Sequence, residues 1–443
     1  MPHALLCCIL APAYFQTQVC HTHYFAYPGV SLHCFFHSRL TIHVSRLFSR
    51  TCSKIPSVKK LLALFFIIYF SLSSFSQTDT CHLRISLLTC GPGQDLYSIW
   101  GHTGIRVIDA TRQIDTVFNY GMFDDRDPLF YVKFCRGIML YSVEPQTFED
   151  FMGEYQYFKR SVTEQVLDIS CAEKTKLVAA LWNNTKEENK FYPYHFYADN
   201  CTTRARDIIL NNIDTGIQFK NIRPQAGIST YRNLIHSYMN SSNQAWNRFG
   251  IDVLLGKHLD EIMTNKQAMF LPDYLMKGFD SASLHQHALV GETNILLPDG
   301  QPNTTTFFTP LTLFSFLLLI MLALQFTKNK TVGKIAVILD SLFFLFTGLL
   351  GLLMLALWVF RVDNVCRNNY NILWALPTHT IIAFVITGKK TWIKYYWLFT
   401  IILNILLLLA WKWLPQEMNN SALLLTFILL YRSVARYNTC KQA

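Results

Sequence analysis

The hydrophobic rhythm of the chain changes three times, and each change marks a segment. Residues 58–76, VKKLLALFFIIYFSLSSFS, open on Lys59 and Lys60, run apolar from Leu61 to Phe70 and end in Ser74-Phe75-Ser76. That order is the pattern of a secretory signal peptide, and the apolar run is short for a membrane span. From about 80 to 300 the apolar residues recur over short windows. HTGIRVID (102–109) and DTVFNYG (115–121) are β-branched and aromatic around a short polar link, which predicts two strands. In PQTFEDFMGEYQYF, Phe148, Phe151, Met152 and Tyr155 fall at i, i+3, i+4 and i+7 and predict an amphipathic helix. AEKTKLVAALWNN (172–184) predicts another, and about Thr202–Asn211 a third. The polar stretch DGQPNTTT (299–306) ends this α+β region as a linker. Five hydrophobic spans are then expected, at about 307–326, 335–360, 371–387, 395–414 and 421–431, the last extending towards Tyr437.

Charge orients these spans. The chain is 51% hydrophobic and only 15% charged, against about a quarter charged in soluble domains. Its net charge of +10 suggests a nucleic-acid partner until it is located. Residues 1–60 carry six Lys or Arg and no acid, and residues 327–443 carry twelve basic and three acidic residues, so the middle is net acidic. Nucleic acid is therefore excluded as a partner in favour of a membrane. Lys328, Lys330 and Lys334 follow the first span, Lys389, Lys390 and Lys394 the third, and Arg432, Arg436 and Lys441 the fifth. The loops 361–370 and 415–420 are poorer in basic residues, so the basic segments are expected in the cytoplasm and the α+β domain outside. A signal peptide demands the same side. Residues 1–57 hold five cysteines and several histidines without metal-ligand spacing. They read as a mis-assigned extension, with translation starting near Val58.

The external domain has five cysteines, Cys81, Cys90, Cys135, Cys171 and Cys201, so at least one thiol is expected free. No CxxC spacing occurs among them, and no metal or cofactor is expected. The first four read as core residues or an optional disulfide. Cys201 differs, because YADNCTTRARDII places it after polar residues where a helix begins. The free N–H groups and dipole there favour a thiolate by roughly 1 kcal/mol. A thiol nucleophile needs a base. Among His82, His102, His195, His236 and His258, the first choice is His102, which opens a strand after the sharp entry Trp100-Gly101. His195, six residues before Cys201, is the alternative.

WGHTGIRV, FNYGMFD and FYVKFCRGIMLYSV, followed by YPYHFYADNCTTRARDIIL, resemble the N-terminal periplasmic domain of the Lnb-type lipoprotein N-acyltransferases of Bacteroidota. The resemblance covers about 80–280, with RFGIDVLLGKHLD and FLPDYLMKG, and continues in NNYNILWALPTH (368–379). His195 departs from it, standing where Asp or Asn is expected. It implies a circularly permuted papain-like domain, similar to NlpC-type peptidases and lecithin:retinol acyltransferase-like enzymes, on a bundle of about five transmembrane helices in the bacterial inner membrane. It also implies lipoprotein N-acylation. An acyl chain would pass from a membrane phospholipid to Cys201 and then to the amine of a diacylated lipoprotein, with His102 as base and acid. A cell-wall peptidase or amidase would use the same pair. Asn119 would orient the imidazole if the two strands pair. Arg204 and Arg206 would bind a lipid phosphate, or else pair with Asp199 and Asp207. Trp100, Asn371 and His379 are expected to contact substrate, with the 368–379 segment as the floor of the lipid site facing Cys201.

Overall fold

The computed structural model describes residues 81–300 apart from 96, 125, 225–228 and 242, and residues 307–442 apart from 326–328. The expected signal peptide and the segment before it lie outside the described residues, as does most of the polar linker.

The elements of the first region follow in chain order. They are β1 (Leu83–Cys90), β2 (His102–Asp109), β3 (Ile114–Met122), α1 (Phe130–Arg136), β4 (Leu140–Thr147), α2 (Phe148–Tyr157), β5 (Val162–Leu167), α3 (Cys171–Asn184) and β6 (Phe191–Pro193). Then come α4 (Cys201–Asn212), β7 (Ile217–Gln218), α5 (Tyr231–Ser241), α6 (Ala245–Leu254), α7 (Asn265–Ala268), α8 (Pro272–Asp280), β8 (Ser283–Leu284), β9 (His287–Ala288) and β10 (Val290–Leu297). Seven strands form an antiparallel sheet in the order β10-β5-β1-β2-β3-β4-β6, and β7-β8-β9 form a small second one.

Both faces of the large sheet are covered. Leu88, Cys90 and Val117 point to one face and pack with Phe151 and Tyr155 of α2. Ile85, Leu87, Ile105, Val107, Phe118 and Tyr120 point to the other and pack with α3, α4 and α8 through Leu177, Leu181, Ala205, Ile209, Leu275 and Phe279. Burial on both sides explains why LRISLLTC of β1 is nearly all buried rather than alternating. The predicted strands stand almost as read. The predicted helix at 145–158 begins later, because Pro145–Thr147 complete β4 and Thr147 caps α2 by accepting from the Asp150 N–H. Cys81 and Cys171 form a disulfide between the approach to β1 and the start of α3.

The second region holds α9 (Pro310–Gln325), α10 (Lys330–Phe360), α11 (His379–Phe384), α12 (Thr391–Ala410) and α13 (Asn420–Gln442). Among the described residues two helices, Lys330–Phe360 and Thr391–Trp413, are long and apolar enough to cross a membrane, and α9 is a shorter apolar helix. The continuous span expected at 371–387 is instead a 3₁₀ turn at Tyr370–Leu373 followed by the six-residue α11. Pro377 interrupts it. Two glycines of α10 admit its irregular backbone, since a Cβ on Gly351 would lie 1.9 Å from the Ala375 carbonyl oxygen and one on Gly348 2.2 Å from the Thr380 nitrogen.

Side-chain contacts sort the loops into two ends. At one, buried Asp340 accepts from Arg432 Nε at 2.6 Å and Arg436 Nε at 2.6 Å, Arg432 also donates to Gln325, and Cys440 reaches the Gly388 carbonyl. At the other, the loops 361–369 and 414–419 pack on the α/β region. Gly256 N–H donates to Val365 O, Asn369 to Val253 O, and Gln416 to Leu255 O. The two loops poorest in basic residues are the ones that meet the α/β region, as the charge pattern predicts.

Candidate active site

Cys201 is the first residue of α4, and its position is fixed by the residue before it. Asn200 accepts from the Thr203 N–H at 2.9 Å while Thr203 Oγ1 accepts from the Asn200 N–H at 2.8 Å, a reciprocal cap. Asn200 also donates to the Phe196 and Phe270 carbonyls, so the cap is locked on both sides. The Cys201 N–H belongs to the helix's first turn, whose amides have no acceptor within the helix.

His102 opens β2 in register with Cys90 of β1, and two residues on Gly104 pairs with Asn119 of β3. The chain can enter there because Gly101 has φ +75°, and a Cβ on it would lie 2.5 Å from the Cys90 carbonyl oxygen. His102 Nε2 lies 2.6 Å from Asn119 Oδ1. The Asn119 amide group donates to Gln146 Oε1 at 3.3 Å, which fixes its oxygen towards the histidine. His102 Nε2 therefore carries a proton and donates it to Asn119, which leaves Nδ1 for the Cys201 thiol.

The electrostatics bring the two pKa values towards each other. Burial alone would raise the Cys201 pKa, but the charge and hydrogen bond of His102, the Thr202 hydroxyl and the Thr103 N–H outweigh it and hold the thiol below its ordinary value. Burial alone would lower the His102 pKa, and the Cys201 thiolate with Asn119 raises it above normal. Burial pushes Cys90 up to about 12 and raises Cys135 as well, so neither is activated. Sequence reasoning missed Thr103, Thr202 and Gly121. Thr202 Oγ1 lies 3.8 Å from the sulfur and 3.0 Å from Thr103 Oγ1. Gly121 has φ +90°, and a Cβ there would stand 3.4 Å from Cys201 Cβ. The signal for Gly121 was a glycine closing a predicted strand. A thiol held below its ordinary pKa, a histidine and an amide in line, with backbone N–H groups of Thr103 and Cys201 beside the sulfur, make an arrangement able to support nucleophilic chemistry at Cys201.

The structure does not bring the other candidates to the sulfur. His195 Nδ1 accepts from the Ala198 N–H, its ring packs edge-on against Tyr197, and it bonds Asn364. Burial is the main cause that lowers its pKa. Alkylation of Cys201 by iodoacetamide is therefore expected at an unchanged rate in His195→Ala, and a rate as low as that of His102→Ala would move the base to His195. Arg204 pairs through Nε and Nη2 with Asp199 and covers the Tyr192 ring. Arg206 pairs with Asp207 and donates to the Lys266 carbonyl. Trp100 packs edge-on against Phe196 of the loop that precedes Cys201.

Asn371 and His379 require a correction. Buried Asn371 donates to the Asp252 and Val253 carbonyls and accepts from Trp374 Nε1. It satisfies carbonyls at the end of α6, groups that a helix C-terminus leaves without partners. His379 is buried among Phe344, Thr347 and Tyr396 within the helical region. The outer loop does reach the segment before Cys201, but upstream, where Asn364 accepts from the Tyr197 hydroxyl at 3.1 Å. Asn371→Ala is expected to destabilise the protein by about 1 kcal/mol or more, because the Asp252 carbonyl loses its 2.8 Å donor and the buried Trp374 Nε1 its acceptor. A lowered thermal midpoint with unchanged Cys201 alkylation would show this, and an unchanged midpoint would contradict it.

Residues 73–237 match the family described as the Lnb N-terminal periplasmic domain, and residues 302–443 match the Lnb transmembrane domain. No curated protein and no solved structure matches the chain.

Proposed function

The chain carries both Lnb domains in order and belongs to the Lnb-type lipoprotein N-acyltransferase family, and from that premise we propose that it moves an acyl chain from a membrane phospholipid to the N-terminal cysteine amine of a diacylated lipoprotein through a thioester on Cys201. The observation that carries this reading is the Cys201–His102–Asn119 arrangement in a domain bolted to the outer ends of hydrophobic helices. A strand histidine that precedes a helix-start cysteine supports the permuted papain-like reading. Five crossings of the inner membrane, the third in pieces, fit the sorting of loops into two ends.

In the first half-reaction the Cys201 thiolate adds to the ester carbonyl carbon, and the oxygen gains the negative charge. The Thr103 and Cys201 N–H groups are the donors placed to receive it. The intermediate collapses as the C–O bond breaks, and protonated His102 gives its Nδ1 proton to the leaving glycerol oxygen. A lysophospholipid departs and the acyl thioester remains. In the second half the lipoprotein amine attacks the thioester carbonyl, His102 takes the proton from the nitrogen, and the thiolate leaves with the amide formed. Asn119 keeps the imidazole in the tautomer both halves need. Arg204 and Arg206 serve α4 and its cap through their carboxylate pairs, so no phosphate role is assigned to them.

The test is expression in a strain that lacks its own N-acyltransferase, followed by mass spectrometry of one lipoprotein's N-terminal peptide. A third acyl chain is expected. A diacylated peptide with altered cell-wall fragments would favour a peptidase or amidase instead.

A further inference from the structure

One helix of the α/β region buries none of its residues. α1, FYVKFCR, has four apolar or aromatic residues among seven, yet no side chain in it is buried. A helix of that composition in a water-soluble domain hides one face. Here Val132 is 55% exposed and Phe134 41%, and Leu129 just before the helix is 56% exposed. Met122, Leu140 and Phe191, on neighbouring strands, are exposed as well. Such a patch in a lone soluble domain would mark an interaction surface.

Its neighbour identifies what covers it. The loop after α10 grips the C-terminal end of α1. Arg361 donates to the Phe134 carbonyl at 2.9 Å, the Val362 N–H donates to the Arg136 carbonyl at 2.9 Å, and Arg361 is held in turn by Asp363. α10 is a helix long and apolar enough to span a membrane, and at this end it exposes Val359, Phe360 and Val362. Those side chains need lipid around them, and the Arg361 and Val362 hydrogen bonds hold α1 beside them. Exposed Arg126 and Arg136 border the patch, as basic residues border helices that lie in the headgroup region.

A second feature runs inward from the patch. Phe134 stacks on Phe130 at 6.4 Å, Phe130 meets Phe123 at 5.7 Å, Phe123 meets Tyr141 at 5.2 Å, and Tyr141 stacks on Tyr194 at 4.2 Å. Tyr141, Tyr194 and Cys201 are partly buried against the same core. The file of rings runs from the end of a membrane helix to Tyr141 and Tyr194, within electrostatic reach of Cys201.

We infer that α1 lies in the outer-leaflet interface and that the aromatic file from Phe134 to Tyr194 guides a lipid acyl chain out of the bilayer to Cys201. The inference rests on the proposed function for the identity of the chain that travels, but not for the placement of α1.

Photocrosslinking in the full-length protein tests it. Benzoylphenylalanine replaces Leu129, Val132 or Phe123, or the exposed Tyr157 of α2 as the reference, in vesicles of phosphatidylethanolamine and phosphatidylglycerol. Phospholipid adducts are expected at 129, 132 and 123 at no less than about ten times the yield at 157. Adducts at 129 and 132 no more frequent than at 157, or crosslinks there to a second protein copy, would overturn the interfacial placement. Adducts at 129 and 132 with none at 123 would overturn the file. The readout needs no turnover, so lipid adducts at all three in a protein that never acylates a lipoprotein would count against the proposed function and for this inference.

Discussion

Cys201→Ala is expected to abolish N-acylation, with a loss of at least about a thousandfold, while the protein still folds and inserts. The alanine retains the helix start, since Asn200 and Thr203 make the cap and Cys201 contributes no side chain to it. What disappears is the sulfur proposed to carry the acyl group. Cys201→Ser is expected to be nearly as inactive. His102 is matched to a thiol held below its ordinary pKa, and a serine hydroxyl stays protonated beside the same imidazole. Quantifying the triacylated lipoprotein peptide in membranes checks both variants. Wild-type levels from Cys201→Ala would remove the nucleophile from the account.

The second large effect is expected from His102→Ala, a loss of about a hundredfold to ten-thousandfold. Its signature lies in pH. In the wild type the imidazolium holds the Cys201 pKa below its ordinary value, so the thiolate is present at a pH under the free-thiol range of about 8.5 and is lost as pH falls through that lowered value. Without His102 only the Thr202 hydroxyl and the Thr103 N–H remain to offset burial, so the thiolate forms at a higher pH than in the wild type. The iodoacetamide rate at Cys201 should therefore shift its rise to higher pH in His102→Ala. An unshifted profile would mean that the helix start alone activates the thiol.

The candidate pair was legible because its signals are local. A cysteine after DN at a helix start and a histidine opening a strand are each read from a few residues. The pairing of β2 with β3 then made Asn119 a matter of register, and Gly104 opposite Asn119 delivers the amide to the ring. Partners of Arg204 and Arg206 were also within reach, since Asp199 and Asp207 lie five and one residues away. Thr103 was not legible as a donor, because its N–H reaches the sulfur only once β2 and α4 have met.

The membrane half was read less well, for a physical reason. Hydropathy reports how apolar a stretch is, not whether its backbone stays helical. NNYNILWALPTH joins an apolar run and so reads as the start of a span, yet Pro377 breaks it and Gly348 and Gly351 of α10 open the space for its irregular backbone. Its asparagines suggested a site facing Cys201 because polar groups near hydrocarbon need partners. The partners were carbonyls at the end of α6, a demand set by a helix more than a hundred residues earlier. In the same way α1 is visible as a short aromatic stretch, but its lack of burial emerges only when the loop after α10 pins it beside the membrane helix.

The most direct measurement is the mass of the Cys201 peptide from full-length protein incubated with phospholipid vesicles and no lipoprotein acceptor. The account predicts a fatty-acyl adduct on Cys201 that hydroxylamine releases and a lipoprotein acceptor discharges, and only trace adduct in His102→Ala. A protein that N-acylates lipoproteins at full rate while its Cys201 peptide never carries an acyl group would contradict it.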